Sequence, residues 1–385
     1  MTRGLAGAIL DAFPTRPQEV VVARSQRIVV CGAGVIGAAV AYSLTRRGAP
    51  PTIVERARPG AAASGRAGGF LALDWNDGTP VGPLARASYG LHAELAAQLG
   101  TDIGYRRMET LLVAGSDDGD VSAYGQIANP AWLDGNVAVH AVIGERGTTA
   151  QVNPMQLTHA LVDGAIAGGA RLVTGTLEGL QLGHDGSVEG ILVDGASVPA
   201  DTVVLALGPW MGRAREWLPL PAVHGLKGAS ITLQADLPAQ AVFGEYHTRD
   251  GRRMSPEIYP RPNNEVYVNG YPQSEPLPDD PDAIGPSDVA CAELHRIAGA
   301  HSSLLAAAPI TARRACYRPV TDDGIPLIGP AIGTPGVYVA TGHGAWGILN
   351  APATGRMIAE MILDGRSHSV DAAPYALTRL PFAIT

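Results

Sequence analysis

The residues of this chain whose types and spacing point most directly to chemistry are Gly32, Gly34 and Gly37, in G-x-G-x-x-G order, and the acid Glu55. The first glycine permits a tight turn after a strand. The second lets the backbone approach a pyrophosphate, and the third lets helix and strand pack closely. Val35 and Ile36 lie between them and begin the helix, whose free N–H groups and positive dipole end face the phosphates. Glu55 stands where an acid accepts hydrogen bonds from ribose hydroxyls. A carboxylate there argues against a 2′-phosphate, and so against NADP. The pattern leaves NAD and FAD open.

Placing those residues takes a strand, a helix and a second strand. Residues 28–30 read as a short buried strand, Ala41 and Leu44 continue a helical pattern that Gly48 ends, and residues 52–54 form the next strand. Pro50 and Pro51 stand at its entrance, where proline is tolerated. A Gly/Ala-rich loop over 60–69 follows, then a helix over 84–99 and strands over 105–113 and 137–142. A helix starting near Pro154 ends at Gly168-Gly169. Strands over 171–174, 177–182 and 188–193 come next, the last two joined by an Asp185-Gly186 hairpin signal. An apolar strand over 203–207 runs into Gly208-Pro209. Residues 216–270 alternate as antiparallel strands at 230–233, 257–259 and 265–269. Residues 272–286 form a polar loop, 287–300 a helix, and a final strand over 337–340 leads through T-G-H-G-A-W-G-I to a long helix ending at Leu363.

The expected fold is α/β: a doubly wound Rossmann-like domain visited three times, with an inserted, discontinuous α+β substrate domain built on an antiparallel sheet. The boundaries read as an extension over 1–25, a nucleotide-binding domain over 26–83, 151–215 and 311–370, and a substrate domain over 84–150 and 216–310. No internal repeat is present.

With 385 residues and 46% hydrophobic content the chain can bury a large core. A net charge of -8 offers no basic patch for nucleic acid. No apolar run reaches the ~20 residues that span a bilayer. Three cysteines, Cys31, Cys291 and Cys316, are odd in number and far apart, which suggests a reducing compartment and a cytoplasmic location. Residues 1–25 read as a tail or short docking helix, with organelle targeting as the alternative. No cysteine or histidine pair is spaced for a metal, so none is expected.

Four separated blocks together resemble the FAD-dependent amino-acid oxidase superfamily, which includes glycine oxidase, D-amino-acid oxidase and sarcosine oxidase. They are the fingerprint with Glu55, the loop ASGRAGGF at 63–70, VVLALGPW at 203–210, and CYRPVTDDGIPLIG with YVATGHGAWGI over 316–348. The resemblance covers residues 26–364 and is strongest to glycine oxidase in the last block. It implies FAD as cofactor, with Glu55 on the adenosine ribose and Arg56 beside it. Ala63, Ser64, Gly68, Gly69 and Phe70 would line the pyrophosphate and flavin ring. Leu177 and Gly208 would flank the adenine end. Gly342, His343, Gly344, Gly347 and Ile348 would present backbone to the flavin pyrimidine, with His343 structural.

The same resemblance puts Arg318 at the family's carboxylate-binding arginine, with a structural ion pair to Asp322 or Asp323 as the alternative. Tyr259 matches a tyrosine that some members place over the substrate. Cys316 stands seven residues before Asp323, as does the cysteine that links flavin in sarcosine oxidase, whereas glycine oxidase binds FAD non-covalently. Both outcomes stay open. Ala345-Trp346 stands where glycine oxidase carries a second arginine. The implied activity is oxidation of the CH–NH bond of an amino acid or amine, with oxygen as acceptor and hydrogen peroxide as product. A dehydrogenase serving a quinone or carrier, or a flavin-holding regulatory protein with little turnover, is the alternative. Substrate identity and oligomeric state are left open.

Overall fold

A computed structural model describes residues 26–382, so the expectations for residues 1–25 lie outside the described residues. The described residues open with β1 (Ile28–Cys31), α1 (Val35–Arg46) and β2 (Thr52–Glu55). There follow α2 (Ala63–Arg66), β3 (Phe70–Ala72), α3 (Gly82–Gln98), β4 (Arg106–Arg107), β5 (Glu109–Ser116), β6 (Val137–Gly144) and β7 (Thr149–Gln151). Next come α4 (Pro154–Ala167), β8 (Arg171–Thr174), β9 (Leu177–Leu182), β10 (Val188–Val193), β11 (Ala196–Pro199) and β12 (Thr202–Leu205). The strands β13 (His224–Gln234), β14 (Gln240–His247), β15 (Arg253–Met254), β16 (Glu257–Pro260) and β17 (Glu265–Gln273) precede α5 (Asp288–His301) and α6 (Ser303–Ala307). Then come β18 (Ile310–Val320), β19 (Leu327–Pro330), β20 (Val337–Thr341) and α7 (Gly347–Asp364).

β1 is apolar and buried at all its positions because it lies inside a sheet covered on both faces. The sheet order is β19-β20-β12-β1-β2-β8, parallel throughout except for β19 against β20. Ile28 and Val30 pack with Val40, Leu44 and Met357 on the helical face. Val29 and Cys31 face the other way, against Val188 and Ile191 of an antiparallel meander, β9-β10-β11. The second face of the parallel core is thus covered by that meander, where a doubly wound reading expects helices. α4 begins as its sequence predicts: Asn153 Oδ1 accepts the N–H groups of Met155 and Gln156, and Pro154 takes the first helical position.

The second large sheet has the order β18-β13-β17-β16-β14-β5-β6, with β15 beside β14. It is antiparallel apart from the β14–β5 pair. Ile231, Leu233, Ile258, Val266 and Val268 turn one face to Ala290, Leu294 and Ala298 of α5. The alternate residues therefore point to the opposite face. A small sheet, β3-β7-β4, joins the two halves.

Several elements differ from the sequence reading. The 60–69 loop contains the single turn α2. The strand expected over 105–113 is broken at Met108, which is buried between β4 and β5. Strands β14 and β18 had no counterpart in the reading, and β13 is longer than 230–233. β18 reads I-T-A-R-R-A-C-Y-R-P-V, in which charged residues interrupt the apolar alternation that marks a half-buried strand. Residues 311–320 belong to the 311–370 segment expected to bind nucleotide, and β18 hydrogen-bonds to β13 within the antiparallel sheet.

Candidate active site

The turn after β1 is built for close backbone approach. Gly32 has φ +104°, and a Cβ there would overlap the Ala206 carbonyl oxygen. A Cβ at Gly37 would overlap the Gly32 carbonyl oxygen, which is how α1 comes to lie against its own turn. Gly34 is the N-cap of α1 and has no side chain to cap the helix. Ser64 supplies the cap instead, its Oγ accepting the Val35 N–H at 2.9 Å. Glu55 ends β2 with its carboxylate fixed by two backbone donors, the N–H of Ala33 at 2.8 Å and of Ala57 at 2.9 Å. The acid thus steadies the glycine turn and lines the cavity beside it.

That cavity, of about 600 Å³, runs the length of the site. At one end Leu177 and Gly208 meet Arg56, whose guanidinium lies 4.1 Å from the centroid of the Trp210 ring. Burial, with the nearby Arg213 charge, lowers the Arg56 pKa. In the middle lie Gly34, Val35, Ile36, Ala63 and Ser64. Gly68, Gly69 and Phe70 also line it, as do Gly344, Gly347 and Ile348 at the start of α7, whose positive dipole end meets the cavity. Gly37 and Gly342 do not line it. Gly342 has φ +77° and makes a turn against Thr321. His343 is buried, with Nε2 3.0 Å from Thr354 Oγ1, and burial pushes its pKa down to about 3. It is neutral at ordinary pH and contributes shape and backbone.

One face of the antiparallel sheet forms the far wall. Glu257 and Tyr259 of β16, Tyr267 and Asn269 of β17, and Cys316 and Arg318 of β18 all line the cavity. Tyr259 is sandwiched between Phe70 (ring centroids 5.4 Å apart) and Tyr267 (5.9 Å). Its hydroxyl donates to Glu257 Oε2, which also accepts from Asn269 Nδ2 at 2.8 Å. Burial first, and then the Glu257 charge, raises the Tyr259 pKa well above its ordinary value, so it acts as a neutral donor. A Cβ on Gly68 would lie 2.5 Å from the Tyr259 ring, so only glycine lets this loop and the sheet meet.

Arg318 has no hydrogen-bond or ion-pair partner among the described residues. Asp322 lies 2.9 Å from His224 and Asp323 lies 2.7 Å from Arg379, so neither pairs with Arg318. Cys316 is half-buried on the cavity wall, and desolvation raises its thiol pKa against the opposing charges of Arg318 and Arg66. Trp346 lines the cavity 6.3 Å from Trp75.

The sequence pattern of the family described as FAD dependent oxidoreductase (DAO) matches residues 27–361. The chain belongs to this family. The glycine oxidase of Geobacillus kaustophilus is 28% identical over 377 residues, covering 91% of this chain and 96% of that protein. The glycine oxidase of Pseudomonas aeruginosa is 29% identical over 394 residues, covering 91% and 98%. The crystal structure of the Geobacillus kaustophilus enzyme superposes with a TM-score of 0.73 at 26% identity, covering 94% of this chain and 99% of that one. The protein is an FAD-dependent enzyme of amino-acid oxidase type, related to glycine oxidases.

The residues present fit the DAO-family cofactor. An elongated cavity carries a side-chain-free helix start at its centre and an acid at the end of β2, as a dinucleotide requires. Sequence reasoning missed Glu257, Asn269, Phe243, Trp210 and Arg261. Alternation could have found Glu257, two residues before Tyr259 and so on the same face of β16. Arg261 is buried and donates to the carbonyls of Ala67 (3.1 Å) and Gly68 (3.2 Å), which fixes the loop against the sheet. No spacing in the sequence announces that contact.

Proposed function

We propose that the protein oxidises the CH–NH bond of an amino acid or related amine, with oxygen as electron acceptor and hydrogen peroxide as product. The observation that carries this reading is the unpartnered Arg318 in the cavity that also holds the dinucleotide cradle. A guanidinium fork binds a carboxylate bidentately and fixes its plane, which orients the carbon bearing the amine. Bound FAD supplies two-electron acceptance. Arg318 would hold the carboxylate, Tyr259, its proton given to Glu257, would present its ring and phenolic acceptor oxygen to the substrate, and Phe70, Tyr259 and Trp346 would exclude water. His343 Nε2 is engaged with Thr354 Oγ1, so no proton-transfer role is given to it, and the bound substrate nitrogen loses its proton before the CH–NH bond is oxidised. Orientation is then the protein's main contribution.

In this reading residues 26–83, 151–215 and 311–370 hold the cofactor, and 84–150 and 216–310 shape the substrate side, with β18 serving both. The test is anaerobic addition of glycine, sarcosine, proline and D-alanine to the FAD-loaded protein, followed by peroxide detection in air. Bleaching with at least one of them, and peroxide on aeration, supports the reading. Bleaching without peroxide points to a dehydrogenase, and a flavin that stays yellow with every amine contradicts substrate oxidation.

A further inference from the structure

Two opposite charges without charged partners face the same cavity. Arg318 has no anionic partner among the described residues. Glu257 likewise has no cationic partner among the described residues: it accepts hydrogen bonds from two neutral donors, Tyr259 and Asn269, both at Oε2, which leaves Oε1 without a partner among the described residues. The two charges do not neutralise one another. β16 and β18 are separated by β17 and β13, which is three strand spacings, or about 14 Å between backbones. Even so, both charges act on the buried Tyr259 phenol, Glu257 raising its pKa and Arg318 lowering it.

Glu257 also has an aromatic setting. Phe243 is its direct partner across β14–β16, and the Phe243 ring lies 4.9 Å from Phe70 and 5.6 Å from Tyr259. Aromatic faces attract cations and repel anions, and a partly enclosed carboxylate adds to that preference.

We propose that Glu257, held by Tyr259 and Asn269, receives a cationic nitrogen, so that the site takes a zwitterion with its single carboxylate on Arg318 and its positive nitrogen against Glu257 and the aromatic wall. The proposal rests on the reading of this cavity as the substrate site and adds the selection rule. Neutral isosteres lose the second anchor, and a second carboxylate at that end meets Glu257 as a like charge.

The test needs no turnover. Flavin difference spectra of the FAD-loaded protein are titrated with trimethylglycine and with 3,3-dimethylbutanoate, which have the same shape but differ by one fixed positive charge. Acetate serves as a carboxylate-only probe. The expected result is trimethylglycine binding at least tenfold tighter than its carbon isostere in wild type. In Glu257→Gln that ratio should collapse towards one, with acetate affinity and FAD content unchanged. Equal affinities in wild type, a ratio untouched by Glu257→Gln, or silence from both shaped ligands while acetate perturbs the flavin would overturn the proposal. Silence from acetate as well removes the carboxylate clamp, and the proposal falls with it. The wild-type ratio alone keeps the claim open to refutation if the variant folds poorly, and Glu257→Asp, which keeps the charge, should keep most of the preference.

Discussion

The two walls of the cavity are made of different material. The cofactor wall is mostly backbone: a glycine turn at 32–37, a helix start capped by Ser64, and an acid tied to main-chain N–H groups. The opposite wall is side chains, projected from one face of an antiparallel sheet whose strands lie far apart in sequence. A backbone wall tolerates no added atoms where it turns but is indifferent to most chemistry elsewhere. A side-chain wall keeps its shape under substitution and changes what it recognises. Variants on the two walls should therefore fail in different ways.

The largest effect belongs to the backbone wall. Gly37→Val places branched atoms onto the Gly32 carbonyl, which cannot move without unseating β1. We expect a loss of about 4 kcal/mol or more and no retained FAD, read from the melting temperature and the flavin-to-protein absorbance ratio. A yellow, stable Gly37→Val protein would mean that the turn is not the cofactor cradle.

The side-chain wall should respond differently. Arg318→Lys keeps charge and loses the planar fork, and should retain FAD while kcat/KM falls tenfold to a thousandfold, about 1.4–4 kcal/mol. Loss of FAD in step with activity would erase the distinction between the walls.

The contrast also explains what the sequence could reveal. The glycine cradle is local, with ligand contacts encoded within 28 consecutive residues from Ile28 to Glu55, so spacing was enough to find it. Arg318 and Tyr259 were reachable only through resemblance to a family. β18 carries no clean alternation, because Arg314, Cys316 and Arg318, the last two of which line the cavity, alternate where apolar residues would normally mark a strand. Glu257 and Asn269 meet through the β16–β17 register, in which they stand directly opposite, and register across separated strands is not visible in a single sequence. Arg261 was invisible for the same reason, since it acts on a loop more than 190 residues away.

Acid should weaken both regions. His92 touches the carbonyls of Ile348 and Leu349 on the cofactor side, and His301 bonds to Ile297 within α5 behind the substrate sheet. Burial pushes each down to about 4, and His343 to about 3. With folded values below the unfolded value near 6.5, the unfolded chain binds the protons first. Stability is then complete above ~pH 6.5 and falls as pH drops, by at most ~1.4 kcal/mol per unit for each histidine until the folded form also titrates. Melting temperature followed from pH 7 to pH 4 should decline, and His92→Gln should remove part of the slope. A flat profile in wild type would contradict the burial of these rings.

The smallest effect is expected at Cys316. Burial holds its thiol protonated, which disfavours attack on a flavin. Acid precipitation should leave the yellow colour in the supernatant, and Cys316→Ala should change stability by about 1 kcal/mol or less. Colour retained in the wild-type pellet and released by Cys316→Ala would instead establish a covalent link.

A carboxylate clamp facing a backbone cradle is the centre of this site, and carboxylate binding to Arg318→Leu tests it most directly. Acetate titrated into the FAD-loaded wild type should perturb the flavin spectrum saturably. In Arg318→Leu, with FAD content and melting temperature near wild type, the perturbation should vanish. An undiminished perturbation in that variant would remove Arg318 from the substrate site and contradict the account.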